Sequence, residues 1–476
     1  MTNWLPDLSG TGPLYQRLAD RIEADIDRGT IAAGTKLPPQ RNLAYDIGAT
    51  VGTIGRAYQL LRERGLVSGE VGRGTYVLGR HAAEPTAGAI AGPLAAPALM
   101  EEGTRFLDAP SDKLRFDSTA APDIGQGAAI TELLAHIARN HPGEISSYTR
   151  NFPERWFEAG SRWLARNGFQ PRPDTVVPTL GTHAAVISTI SALTVPGDTV
   201  AFEHLTYSQI SRSAGLVGRR IALVASDRDG LDPEDFEHVC AQKHPKMIFL
   251  MPTAQNPTLA TLPAARRQEI ARIARQHNVI LIEDDLYGAL TGDATPLLAE
   301  YAPERTIVAG GLSKSVAAGV RGGWLSCPPA YQHRIRVAHK MLTGGMPFLL
   351  AELCCQLVLS GHAAQIRRRS LDEIDARIGI VRDRLAGFEF VAHDHVPFVW
   401  LTLPDPWLSG TFKHAAQENG VLVDDEDEFK AGRSEQVFHR IRFGISQPRS
   451  REQVEQGVGI IRRLLDEGRA GYDSFG

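Results

Sequence analysis

Apolar positions recur one helical turn apart over residues 13–28, PLYQRLADRIEADIDR, where Leu14, Leu18, Ile22 and Ile26 share a face. This predicts an amphipathic helix opened by Pro13 and closed by Gly29. Pro38 and Pro39 lead into a second helix, QRNLAYDI, which Gly48 breaks, and a third runs from Thr50 to Gly65 with Ile54, Ala57, Leu60 and Leu61 on one face. The pattern then alternates in LVSGEVGRGTYV, as a short hairpin does, with its turn near Gly69–Gly74. Together these elements predict a winged helix-turn-helix over residues 12–78. Residues 79–113 open on an Ala-, Gly- and Pro-rich run without a strong period and read as a linker. Over residues 114–470, helical stretches alternate with the β-rich runs TVVPTL, TVAFE, MIFLMP, VILIEDD and TIVAGG, which predicts an α/β domain whose parallel sheet is covered by helices.

A chain of 476 residues has room for at least these two domains. Its formal charge of −4 argues against nucleic acid binding over the whole surface, so any such binding must be local. Residues 1–80 hold ten Lys or Arg against eight Asp or Glu, so the motif and not the charge has to carry a DNA reading. The four cysteines have no C-x-x-C spacing, which speaks against a disulfide framework or a metal site and makes them buried thiols. No run approaches the ~18 apolar residues of a membrane helix, and MTNWLPDLSGTG lacks the basic and apolar regions of a signal peptide. Cytoplasm is the expected location, with no membrane partner.

A recognition helix needs base-reaching side chains on its N-terminal face and basic groups beside it for phosphates. Thr50, Thr53 and Arg56 fill the first places. Arg41 starts the preceding helix, where guanidinium and helix N-terminus can meet one phosphate, and Arg73 sits in the wing with Gly74 and Thr75 beside it. Double-stranded DNA is the partner these residues predict.

In the larger domain Lys314 follows Ser313 in AGGLSKSVAAGVRGGW, on a loop at a strand's C-terminal end, where α/β sites form. Arg321 can return over the Gly-rich loop to bind a phosphate bidentately. Asp284 and Tyr287, in ILIEDDLYG, suit a pyridine nitrogen and a ring oxygen; Glu283 and Asp285 rival Asp284, though the spacing to Tyr287 favours Asp284. Asn256 closes another strand in MPTAQNPT and can donate to the same oxygen. Gly181, Thr182 and His183 precede the helix AAVISTISAL and offer backbone N–H groups to a phosphate. Tyr207 can stack on a ring, and Arg442, in RIRFGIS, can clamp an α-carboxylate. This is the set that pyridoxal 5′-phosphate requires, and it predicts the cofactor as a Schiff base on Lys314.

GTKLPPQRNLA, TVGTIGRAYQLLRERGLV and GRGTYV closely resemble the GntR family of bacterial regulators over residues 12–78, with Val51 where that family commonly has arginine. The order of phosphate loop, aromatic, Asn-Pro, Asp-x-x-Tyr, Ser-Lys and late Arg resembles fold-type I aminotransferases. A GntR-like head on such a domain resembles the MocR regulators. That resemblance implies a large parallel-rich sheet with a small C-terminal subdomain and a head-to-tail homodimer. It also implies a transcription factor that senses the cofactor, or an amine or amino-acid effector, through aldimine chemistry. A catalytically active amino-acid aminotransferase with an attached head is the alternative. Tyr148 matches a tyrosine that reaches the partner subunit's phosphate site in this fold. Departures from the family pattern are Gly311 and His183, which predict a weaker phosphate cradle, and Leu259, where glycine commonly follows Asn-Pro-Thr. The acidic run Asp424–Glu428 reads as a solvated loop near the site's mouth, or as a feature favouring a cationic amine over a dicarboxylic acid.

Overall fold

The computed structural model describes residues 6, 8, 12–32, 35–64, 66–70, 74–77, 112–434 and 436–473, and the chain divides into one unit up to Leu94 and another from Ala95. In the first, α1 (Leu14–Asp27), α2 (Gln40–Asp46) and α3 (Val51–Glu63) precede the antiparallel strands β1 (Val67–Glu70) and β2 (Gly74–Val77). Pro13 and Pro39 stand directly before α1 and α2, where a missing N–H leaves no helical bond unmade. Leu18 and Ile22 of α1, Leu43 of α2, Ile54, Tyr58 and Leu61 of α3 and Val77 of β2 close one core. The Tyr58 hydroxyl donates to Pro38 O at 2.8 Å and ties α3 to the chain entering α2. The unit is the expected winged helix-turn-helix. The expected linker lies, apart from residues 112 and 113, outside the described residues.

The second unit is built on seven strands: β3 (Val176–Thr179), β4 (Thr199–Glu203), β5 (Arg220–Val224), β6 (Met247–Leu250), β7 (Ile280–Asp284), β8 (Thr306–Gly311) and β9 (Gly323–Ser326). Their order is β3-β9-β8-β7-β6-β4-β5. Every position of β3, β6, β8 and β9 is buried, as expected where helices cover both faces. All strands run one way except β9, which pairs antiparallel with β8 and β3. The short loop around Lys314 explains this, because a parallel neighbour needs a long crossover. The pattern of apolar runs found β3, β4, β6, β7 and β8 but neither β5 nor β9. Helix α4 (Gly181–Leu193) packs against α5 (Pro329–Thr343). The four cysteines are buried and unpaired, and no single helix among the described residues is long and apolar enough to cross a membrane.

Further along, β10 (Phe390–Ala392), β11 (Phe398–Thr402), β12 (Asp424–Asp425) and β13 (Arg440–Gly444) form an antiparallel sheet ordered β10-β11-β13-β12. Helices α6 (His362–Arg384) and α7 (Arg451–Asp473) close a separate core over it with Ile374, Ile378, Phe443, Val454 and Val458. This is the small subdomain. Leu114–Arg115 pair in parallel with Val421–Leu422, and Gly444 N–H donates to Phe116 O at 2.6 Å. The first described segment of this unit is thereby stitched into the subdomain.

Candidate functional site

On the first unit Thr50 caps α3. Its hydroxyl accepts from Thr53 N–H at 3.2 Å and lies 2.9 Å from the Thr53 hydroxyl, so the two expected base-facing threonines are joined to each other. Arg56 is exposed one turn on, and Val51 is 45% exposed, placing a small apolar group where the family commonly has arginine. Gly74 opens β2, and Thr75 is half-buried, its carbonyl accepting from Leu37 N–H at 2.7 Å. Arg73 and the side chain of Arg41 lie outside the described residues. Tyr45 on α2 is 89% exposed. It occupies a polar position of the helical pattern, so periodicity gives no reason to single it out.

In the second unit the carboxyl ends of β3, β4, β6, β7 and β8 converge on a cavity of about 300 Å³. Its lining includes Gly181, Thr182, His183, Tyr207, Asn256, Asp284, Tyr287, Ser313, Lys314, Arg321 and Arg442, every expected residue of this site except Tyr148. The carboxyl edge is where an open α/β sheet leaves a crevice for ligands. Tyr148 is 90% exposed in an open depression with Ile145, Lys340 and Phe348, so within one chain it does not reach the cavity.

Lys314 lies in the β8–β9 loop, and its Nζ donates to Thr119 Oγ1 at 3.0 Å. Thr119 Oγ1 is 2.6 Å from the Tyr287 hydroxyl, and Lys314 Nζ stands 5.8 Å from the Tyr287 ring centroid. Thr119 was not foreseen. Its partners are 168 and 195 residues away, and the only local clue is the small polar run Asp117-Ser118-Thr119 after Phe116.

The three consecutive acids at the end of β7 separate. Glu283 accepts from Ala299 N–H at 3.3 Å and faces Arg267 at 3.9 Å, while Arg166 forks onto Asp285 at 2.5 and 2.7 Å. Alternation along the strand sends 284 to the other side, and it alone of the three lines the cavity. Asp284 accepts from Leu286 N–H at 3.0 Å. Burial pushes its carboxyl up to about 7, with that N–H and Lys314 pulling the other way. Among the described residues Asp284 forms no ion pair, in contrast to both neighbours.

Gly181 begins α4 at a φ of +80°, and a Cβ on Gly323 would stand 2.8 Å from Gly181 Cα, so the strand and the helix start require glycine at their contact. Arg321, exposed and left-handed at φ 50°, adjoins it: a Cβ on Gly181 would lie 3.6 Å from Arg321 O. Leu180 N–H, leading into α4, donates to His339 Nε2 at 3.1 Å. Burial lowers His339 to about 4, so it remains a neutral acceptor. Burial, and after it the Arg321 charge, also hold His183 below the usual histidine range; its Nε2 is 3.2 Å from Ser213 Oγ and its ring stands edge-on to Tyr207 at 6.2 Å. At Gly311 a Cβ would meet Gly322 O at 2.9 Å and Thr182 Oγ1 at 3.1 Å. There is no room for serine, and the Thr182 hydroxyl already occupies the space beside it. Leu259 holds a φ of 62° without the usual glycine.

Arg442 on β13 is buried, with Nη1 donating to Asn256 Oδ1 at 2.8 Å and Nη2 to Asp424 Oδ2 at 2.5 Å. Its guanidinium lies 4.6 Å from the Phe429 ring centroid and 5.4 Å from that of Phe398. The expectation of a solvated acidic loop is overturned here. Asp424, Glu426 and Glu428 are buried. Asp425 pairs with Lys413 at 3.3 Å, Glu428 with Lys413 and Arg212 at 3.5 Å, and Glu426 accepts from Phe438 N–H at 3.1 Å. Cations and N–H groups from elsewhere in the fold neutralise a run that looks exposed in isolation.

A winged helix-turn-helix unit, together with a lysine-centred cavity at the carboxyl edge of a parallel-rich sheet, defines a class: an aminotransferase-like domain behind a head of the DNA-binding type. Residues 146–456 match the aminotransferase class I and II model, and residues 14–77 match the gntR family of bacterial regulatory proteins. The chain belongs to the aminotransferase class I and II family, in its MocR-type branch of GntR-headed regulators. It is 29% identical over 467 residues to the uncharacterized HTH-type transcriptional regulator YdeF of Bacillus subtilis, covering 98% of this chain and 97% of YdeF. To the probable rhizopine catabolism regulatory protein MocR of Rhizobium meliloti it is 25% identical over 391 residues, covering 79% and 78%. The solved structure of LysN, an α-aminoadipate aminotransferase of Thermus thermophilus, matches with a TM-score of 0.68 at 23% identity, covering 76% of this chain and 94% of LysN. That likeness speaks for the fold.

Proposed function

We propose that this protein is a pyridoxal-phosphate-dependent transcriptional regulator. Its aminotransferase-like domain senses the cofactor or an amine or amino-acid effector, and its head reads double-stranded DNA. Residues 12–78 are the DNA-binding domain, 79–113 the linker and 114–470 the cofactor domain of a cytoplasmic homodimer. The observation that carries the reading is Asp284, a buried carboxyl that forms no ion pair among the described residues and lines the same cavity as Lys314 and Arg321, with burial raising it well above the usual carboxylate range. Such a group is completed by a cationic N–H donor, and a protonated pyridine nitrogen is one. The residues present fit the cofactor. Lys314 would anchor it, Tyr287 and the Asn256 amide would donate to its ring oxygen, and Tyr207 would stack on it. Gly181, Thr182, His183, Ser313 and Arg321 would hold its phosphate, with Tyr148 of the partner subunit. When bound, the cofactor supplies an electrophilic carbon for primary amines. Thr119 orients the Lys314 amine toward Tyr287. In the head, Arg41, Arg56 and Arg73 would supply the charged contacts to DNA, with Thr50, Thr53, Gly74 and Thr75 lining the approach.

The purified protein is expected to be coloured and to retain the cofactor covalently on Lys314 after borohydride reduction. Lys314→Ala should be colourless, and in gel-shift titrations its operator affinity should ignore cofactor and amines alike. A wild type that is colourless and whose DNA affinity answers to neither would rule the reading out. The presence of Lys314, Asp284 and Arg442 in one cavity also suits a second reading, an active aminotransferase. Sustained keto-acid production from several amino acids would favour it.

A further inference from the structure

The guanidinium expected to receive an α-carboxylate is already in an ion pair. Arg442 Nη2 donates to Asp424 Oδ2 at 2.5 Å, with side chains 1% and 4% exposed. Asp424 stands directly opposite Arg442 on the neighbouring strand, where opposite charges make a favourable cross-strand pair. Arg442 lines the cavity and Asp424 does not, so the carboxylate reaches its partner from behind. Nη1 is engaged by Asn256 Oδ1 at 2.8 Å, and the rings of Phe398 and Phe429 lie against the guanidinium. A pair buried this completely acts as a neutral unit, and removing either charge leaves the other stranded in a low dielectric. A second arginine lining the cavity, Arg115, donates to both carboxylate oxygens of Asp117 at 3.0 Å. Of the four Lys and Arg side chains lining the cavity, that leaves Lys314 and Arg321, the two that the proposed cofactor would engage.

We infer that the cavity selects primary amines whose α-carbon bears no carboxylate, and that Asp424 is the specificity-determining residue. The inference rests on the proposed cofactor site at Lys314. A ligand carboxylate approaching Arg442 meets a guanidinium whose charge is already compensated, and sets a second anion near Asp424 away from water. An amine with an uncharged or apolar substituent meets no such repulsion.

The test is an absorbance titration of the cofactor-loaded protein with matched pairs: isoamylamine and leucine, phenethylamine and phenylalanine, putrescine and ornithine. In the wild type each amine should half-saturate the spectral change at a concentration lower than its amino acid by roughly tenfold or more. Asp424→Asn keeps the shape and removes the charge; it should tighten the amino acids by a similar roughly tenfold factor while moving the amines by about twofold at most. Wild-type protein that takes amino acids as tightly as amines overturns the inference, whether or not the variant folds. So does a folded Asp424→Asn protein with an unchanged ratio. Coloured protein that responds to neither class of ligand defeats amine sensing itself and this inference with it, whereas equal response defeats this inference alone.

Discussion

Asp284 is fully buried, and its carboxyl is raised from 3.8 to about 7. A raised folded-state value means that the contribution to stability is complete below the unfolded value and is lost as pH rises through about 7. The cofactor-free protein should therefore be less stable at about pH 8 than at about pH 5 on account of this group. Asp284→Asn removes the titration and should stabilise the cofactor-free protein more at about pH 8 than at about pH 5, the difference being on the order of 3 kcal/mol. With cofactor present the sign reverses, because the same substitution deletes the proposed partner of the pyridine nitrogen and should weaken retention in equilibrium dialysis. Scanning calorimetry at both pH values decides the first point; equal shifts in Tm would refute it. Asp284 and Lys314 were legible in the sequence because the one closes a strand and the other follows one closely, each inside a short motif. Thr119, His339 and Asp424 were not, since what gives each its place is a partner on a distant segment.

Among the elements, the contact between β9 and the start of α4 positions the proposed phosphate end. A Cβ on Gly323 would lie 2.8 Å from Gly181 Cα, 3.0 Å from Gly181 C and 3.1 Å from Gly310 O, all backbone atoms that cannot rotate away. Gly323→Ala should thus displace the helix start, lower Tm and weaken cofactor retention by roughly tenfold or more, since positioning of the phosphate N–H groups is lost. Gly319→Ala, in the same loop region but with nothing within 4 Å of the added carbon, is the control and should leave retention nearly unchanged. If both variants retain cofactor like the wild type, the contact does not set the phosphate end. The strands that lead into the cavity were legible because fully buried parallel strands are continuous apolar runs. β9 was not: GWLS has only two apolar residues, bounded by glycine and serine, and only the return of the chain beside β8 makes it a strand. The acidic run failed for the opposite reason, since its cations come from Arg442, Lys413 and Arg212 on other elements.

In the whole molecule the chain divides between Leu94 and Ala95 into two units, and each has its own hydrophobic core. What no periodicity records is the coupling proposed between the units, and thermodynamics constrains that without any further geometry. If an amine bound near Lys314 changes operator affinity by some factor, operator DNA must change amine affinity by the same factor. A coupling of 1–3 kcal/mol would be roughly a 5–150-fold effect in either direction. Absorbance titrations of amine with and without operator, set beside gel shifts with and without amine, should close this cycle. Residues 1–78 expressed alone should fold on the core around Leu18, Ile54 and Leu61 and bind operator with an affinity indifferent to amine. Residues 1–78 hold nine Lys or Arg against eight Asp or Glu, so specific contacts and not a general positive field should dominate that binding. Should amine shift DNA affinity while DNA leaves the Lys314 spectrum untouched, the effector acts somewhere other than this cavity. Equal factors in the wild type, both abolished by Lys314→Ala, would instead make that lysine the point through which the two units are coupled.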